Sequence, residues 1–153
     1  MAAGPFNSHI TGFTSLLKGD DWSTDSHYAV LATSSETPDR ATQVDYADIA
    51  NECADSDYGQ VDITGETVSA ASGNTGVKFD CAKISFGDNV SITAQYLYIL
   101  KGDYSSPADA DEIIGHVDLN LDGDTDLESS SAEFSFDPHA DGLFVVNQTA
   151  AAA

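Results

Sequence analysis

The chain has 153 residues, of which 41% are hydrophobic, and sets five Lys and Arg against 26 Asp and Glu for a formal charge of −21. That length and apolar content suit a single domain able to bury a core without metals or disulfides. The charge, with a pI near 4.1, argues against nucleic-acid or anionic-membrane partners, whose phosphates would repel the surface.

Residues 1–20 read as an extended N-terminal arm. Phe6, Ile10, Phe13, Leu16 and Leu17 fall at near-helical spacing, but Gly4, Pro5, Gly12 and Gly19 interrupt a long helix. An arm this apolar must cover its own core or lie on a neighbour, which makes those five residues the candidate contacts to another subunit or partner. Met1 to Asn7 carries no basic residue and no apolar run follows, so a secretory leader is not expected. No stretch reaches the roughly 20 apolar residues of a bilayer span, so a soluble protein made in the cytosol is expected.

Residues 21–148 read as the folded domain and 149–153 as a frayed tail. A polar turn, Asp21 to Asp25, holds the only Trp, and His27 to Thr33 reads as the first strand. Thr33 to Thr42 is a loop by composition. Tyr46, Ile49, Ala50 and Cys53 then fall at i, i+3, i+4 and i+7, which predicts one short helix with Asp45 as its N-cap. From Tyr58 on, strands and turns alternate: Gln60 to Thr64, Glu66 to Ala70, a Gly73-Asn74-Thr75-Gly76 turn, Val77 to Cys81, and Ile84 to Phe86.

The most informative run is Ser91 to Leu100, bounded by Gly87-Asp88-Asn89 and Lys101-Gly102-Asp103. Tyr96, Tyr98 and Leu100 alternate with Leu97 and Ile99, so both faces are apolar from Gln95 on. That is the pattern of a central strand covered on both sides. Strands at Ile113 to Leu119, Glu133 to Phe136 and Leu143 to Val146 follow, the last after Asp141-Gly142. Many short strands with one brief helix make the chain mainly β, a β-sandwich or jelly-roll-like domain.

Chemistry-bearing motifs are few. Cys53 and Cys81 are the only cysteines, sit in no CxxC pair, and fall at apolar-periodic positions, where buried free thiols are expected. His9, His27, His116 and His139 show no HxH or HExxH spacing. His27 and His116 lie in expected strands, where a hydrogen-bonded structural role fits. No nucleophile elbow or phosphate loop is present, so no catalytic residue is assigned. Asp118, Asn120 and Asp122, followed by Gly123, match the first half of an EF-hand calcium loop. The second half fails, because Ser129 stands at position twelve and Glu128 is one residue early. The plainer reading is a polar turn, and no cofactor other than calcium enters consideration.

The order of landmarks resembles the decoration (cement) proteins that coat the heads of tailed bacteriophages. It runs from Asp21-Trp22-Ser23-Thr24-Asp25 and Tyr28-Ala29-Val30-Leu31 through Tyr46-Ala47-Asp48-Ile49, Gly65-Glu66-Thr67-Val68, Val77-Lys78-Phe79-Asp80 and Ile84-Ser85-Phe86. Tyr96 to Leu100, Ile114 to Leu119, Phe134-Ser135-Phe136 and Gly142-Leu143-Phe144-Val145 complete it. The resemblance implies a β-rich, non-enzymatic virion protein on the outer surface of the head, bound to the major capsid protein lattice and often trimeric. Its members are made in the host cytoplasm. The unusual acidity and the Asp-rich turn at 118–126 depart from it. Two other readings are a carbohydrate-binding module or virion adhesin with Tyr28, Tyr58 and Tyr104 as candidate platform aromatics, against which the single Trp22 counts, and a hydrolase with a carboxylate pair.

The acidity serves either solubility at dense display or a salty medium, where a Debye length of about 10 Å or less screens self-repulsion. Under the second reading, thermal melting in millimolar and molar KCl should show a clear rise in Tm with salt; equal stability in both would leave solubility alone.

Overall fold

A computed structural model describes residues 3–18, 21–71, 73, 76–121, 123, 125–140 and 142–147. The expected turn residues Asn74, Thr75, Asp122, Asp124 and Asp141, the arm residues Met1, Ala2, Gly19 and Asp20, and the tail at 149–153 lie outside them.

The frame is a five-stranded antiparallel sheet in the order β1-β9-β8-β2-β3. Its strands are β1 (Phe6–Ser8), β9 (Glu112–Asp118), β8 (Tyr96–Lys101), β2 (His27–Ala32) and β3 (Val61–Asp62). The central position expected for Tyr96 to Leu100 is what the sheet shows. Alternation along β2 and β8 divides their side chains between two cores. Ala29, Leu31, Leu97 and Ile99 face the larger one. Tyr28, Val30, Ala32, Tyr98 and Leu100 face the smaller one. Each fully buried Leu or Ile here contributes about 1.5–3 kcal/mol of hydrophobic stabilisation.

Short sheets complete the β-sandwich-like domain over the larger core. They are β12-β5-β4, the β11-β6 pair and the β10-β7 pair. Their strands are β4 (Thr67–Ala70), β5 (Gly76–Asp80), β6 (Ile84–Val90), β7 (Thr93–Ala94), β10 (Leu127–Glu128), β11 (Ala132–Phe136) and β12 (Phe144–Asn147). The run Ser91 to Leu100, expected as one strand, is two. At Gln95 the chain leaves β7, paired with β10, and enters β8, paired with β2 and β9. The Gln95 N–H donates to Ala32 O and its carbonyl accepts from Leu119 N–H, at 2.9 and 2.8 Å.

Two further sequence expectations are corrected. Residues 45–53 form no α-helix: Tyr46–Asp48 is one 3-10 turn, and Ile49 and Cys53 enter different cores. Asn51 and Cys53 instead bond the end of β2, with Thr33 N–H donating to Asn51 O and Cys53 N–H to Leu31 O. Among the described residues the α-helix is α1 (Ile10–Lys18), inside the segment expected as an extended arm. Residues 3–18 are therefore built into the domain. β1 pairs with residues 115–117 of β9, and α1 continues along the same edge over Ile113 and Ile114.

Gly12, read as a helix breaker, is what lets α1 come this close. A Cβ there would stand 2.2 Å from Ile113 O and 2.7 Å from Ile114 Cα, both backbone. Gly115 does the same for β1, since its Cβ would meet the Phe6 ring at 2.3 Å. Phe6 in turn stacks on Phe144 at 4.8 Å, and Phe144 on Phe79 at 4.6 Å, which ties β1 to the β12-β5-β4 sheet.

Replacing Gly12 by Ala removes a helix-disfavouring residue but forces α1 off β9. Urea unfolding should show a loss of about 1–3 kcal/mol, the range for overpacking. Gly59→Ala, at a site with nothing within 4 Å, should be near neutral.

Candidate functional site

The smaller core is roofed by the irregular segment 33–53, and a loop in that position must have its polar groups satisfied. Gln43 is the centre of the solution. Its Nε2 donates to Glu36 Oε1 at 2.7 Å and to Asp48 O at 3.2 Å. Its Oε1 accepts from Tyr98 Oη–H at 3.2 Å and Asp39 N–H at 3.0 Å. Glu36 Oε2 also accepts from Asn51 N–H at 2.7 Å. The carbonyl of Gln43 accepts from His9 Nδ1–H at 2.9 Å.

That last bond fixes the tautomers. With its proton on Nδ1, His9 must accept at Nε2, so His116 Nδ1–H donates to it, at 2.9 Å. His9 is fully buried and His116 nearly so. Burial holds both imidazoles below their usual pKa, His116 at about 4, where neighbouring His9 and Arg40 add to the effect. A proton added to His9 Nε2 would require the His116 proton to move from Nδ1 to Nε2 for the contact to survive.

A second cluster centres on Glu52. Tyr46 Oη–H donates to Oε2 at 2.6 Å, and Tyr58 Oη–H and Gln60 Nε2–H donate to Oε1, both at 2.7 Å. Desolvation and the Glu52 carboxylate push Tyr46 up to about 12 and Tyr58 higher still. Of the three candidate platform aromatics, Tyr28 is buried, Tyr58 is half-buried and Tyr104 is exposed; Trp22 is buried as well. Tyr28 Oη–H donates to Asp111 Oδ2 at 2.9 Å, and Trp22 Nε1–H to Asp80 O at 2.9 Å.

The third cluster joins His27, Glu66, Trp22 and Cys81. His27 Nδ1 and Glu66 Oε1 are 2.8 Å apart, a contact that needs one proton between them. Trp22 packs on the His27 ring at 4.5 Å between centroids. Burial and Asp62 push Glu66 up to about 7. Cys53 and Cys81 are buried free thiols, as expected. Burial and the carboxylates of Asp80 and Glu66 push Cys81 up to about 12, the opposite of what activates a thiolate.

The residues singled out by sequence are dispersed. Phe6 lies in the aromatic stack, Leu16 is buried in the larger core, Phe13 is half-buried, and only Ile10 is freely exposed, at 60%. The side chain of Leu17 lies outside the described residues. Ile10 borders a groove of about 570 Å³ with residues 37–41. A groove of about 400 Å³ runs between Ala3, Leu119, Leu127 and β11. At the Asp-rich turn, Asp118 Oδ1 accepts from Asn120 N–H at 2.9 Å, and Asp122 falls outside the described residues. No group of three or more His, Cys, Asp or Glu among the described residues has metal-binding geometry. Gln43, Glu36 and Glu52 have no signature in the sequence, since single polar residues in a loop carry no periodic signal.

The histidine pair sets an acid limit. His116 titrates near 6.5 when unfolded and near 4 when folded, so its contribution is complete above 6.5 and is lost as pH falls toward 4. Tm should drop on the order of 5–10 °C across that window from this pair. His116→Asn, which keeps a donor toward His9 Nε2, should show a smaller drop in the same scan.

Comparison with protein-family models, curated proteins and solved structures returns no match to this chain.

Proposed function

We propose that the chain is a structural protein of a viral shell, a decoration subunit that self-associates, as a trimer, and binds the outer surface of an assembled head. The supporting observation is the division between what is folded inside and what is left outside. Polar groups that could do chemistry are engaged within the domain: Glu36 with Gln43 and Asn51, Glu52 with two tyrosines, and His9 with His116. Among the described residues, the large hydrophobic side chains left exposed are Ile10, Val68, Val77, Tyr104 and Leu121.

Two of these belong to one surface. Val68 pairs with Phe79 and Ala70 with Val77 across β4 and β5, while Phe144 and Val146 pair with Phe79 and Val77 across β12 and β5. Cross-strand partners share a face, so one apolar face runs from the Phe6–Phe144–Phe79 stack out to exposed Val68 and Val77. A face of this kind on an otherwise acidic protein fits contact with protein, not with phosphate. Weak contacts repeated over a trimer on a repeating lattice sum to firm attachment without any single strong motif. The landmark order from Asp21 to Val145 supports the same reading.

Purified protein mixed with undecorated heads of its own virus should co-sediment, and it should run as a trimer in analytical ultracentrifugation. The double variant Val68→Asp and Val77→Asp changes only exposed positions, so its Tm should shift little, while trimer formation and binding should fall at least about tenfold, or about 1.4 kcal/mol. A monomeric wild type with no affinity for shells, or turnover of any substrate, would overturn the reading.

A further inference from the structure

The turn after β9 is built on two buried side-chain amides. Asn120 is 4% exposed and Gln95 1% exposed, and the two amides enter the turn from beneath. Asn120 Nδ2 donates to Thr125 O at 2.8 Å and reaches Thr125 Oγ1 at 3.3 Å. Gln95 Nε2 donates to Gly123 O at 3.3 Å and lies 3.5 Å from Asp118 Oδ1. These bonds fix both orientations, because reversing either amide would set its carbonyl oxygen against a carbonyl or carboxylate oxygen. The result is that Asn120 Oδ1 and Gln95 Oε1 are both buried with no hydrogen-bond donor among the described residues. A buried acceptor left this way is destabilising, and two occur at one turn.

What could satisfy them is constrained by charge. Residues 118–126 contain four Asp, and the sequence has no Lys or Arg after Lys101. The Asp126 carboxylate is committed to Ser34, accepting from its N–H at 2.6 Å and its hydroxyl at 2.8 Å. The distal third of the chain therefore supplies no Lys or Arg to the orphaned oxygens. We propose that this turn binds a calcium ion, with Asn120 Oδ1, Gln95 Oε1 and the Asp118 carboxylate as protein ligands. Neutral amide oxygens combined with carboxylate in an irregular turn are the donor set of a hard cation with six to eight ligands at about 2.3–2.6 Å, a geometry that calcium accepts and magnesium does not. The ion would brace Gln95, the residue at which the chain crosses from β7 to β8. It would thus act on the sandwich itself, independently of any shell-binding surface.

The test uses the whole chain in molar NaCl, which screens non-specific attraction to the acidic surface. Millimolar CaCl2 should raise Tm by several degrees and titrate with heat in calorimetry, and MgCl2 at the same concentration should do much less. Asp118→Asn keeps the acceptor for Asn120 N–H but removes a charge from the site, and should weaken calcium binding at least about tenfold. Asp88→Asn, an equal loss of charge at an exposed position on β6, should leave it unchanged. Asn120→Asp, which replaces the orphaned oxygen by carboxylate, should melt lower without calcium and gain more from it. Equal wild-type Tm with and without calcium, as when ordered water alone serves the two oxygens, would overturn the proposal. So would an equal response to magnesium, or equal loss in Asp118→Asn and Asp88→Asn.

Discussion

Burial of both faces of the strands at the centre of the main sheet is the constraint from which the rest follows. Tyr28 to Ala32 and Leu97 to Leu100 are inaccessible to solvent on both sides, so each face needs a cover. On one face short antiparallel sheets supply it, with their own alternating side chains. On the other face, among the described residues, an irregular segment takes the place of a second sheet. A covering loop carries backbone groups that a sheet would have paired internally. The Gln43 and Glu52 clusters answer that requirement. Their buried polar side chains are the counterpart, on the loop side, of the ladder hydrogen bonds on the sheet side.

This explains why polar residues in the interior need not signal chemistry. A buried carboxylate beside tyrosines, or two histidines in contact, has the composition of an active site. Here the donors of both clusters meet acceptors of the scaffold, and two perturbed groups shift away from reactivity, the Cys81 thiol rising to about 12 and the His116 imidazole falling to about 4. Glu66, raised to about 7, is the exception and is held against His27. The same density of internal bonds ties the N-terminal segment to the loop through His9 and Gln43, elements 34 residues apart in sequence.

Much of the sheet was legible in the sequence, because apolar residues at both parities of Tyr96 to Leu100 have few explanations besides a doubly covered strand. The strands at 27–32, 112–118, 132–136 and 144–147 were legible for related reasons of alternation and turn chemistry. The helix was misplaced in both directions. Tyr46, Ile49, Ala50 and Cys53 match a helical stripe, yet pairing of residues 51–53 with the end of β2 overrides that local pattern. Gly12 reads as a breaker by propensity, and its reason for being there is contact with a backbone about 100 residues away. The calcium-like spacing at Asp118 and Asn120 was readable; Gln95, which meets it from another strand, was not.

The way the main sheet terminates has a consequence for how the molecule behaves in a crowd. Its outer strands are β1, three residues long, and β3, two residues long, and α1 lies along the part of β9 that β1 leaves uncovered. Unpaired strand borders are templates on which foreign chains add, and brevity or a helical shield denies them the length to do so. Copies held side by side thus meet through side chains on faces, where geometry and charge can discriminate, and this sheet offers little backbone for indiscriminate fibrillar growth.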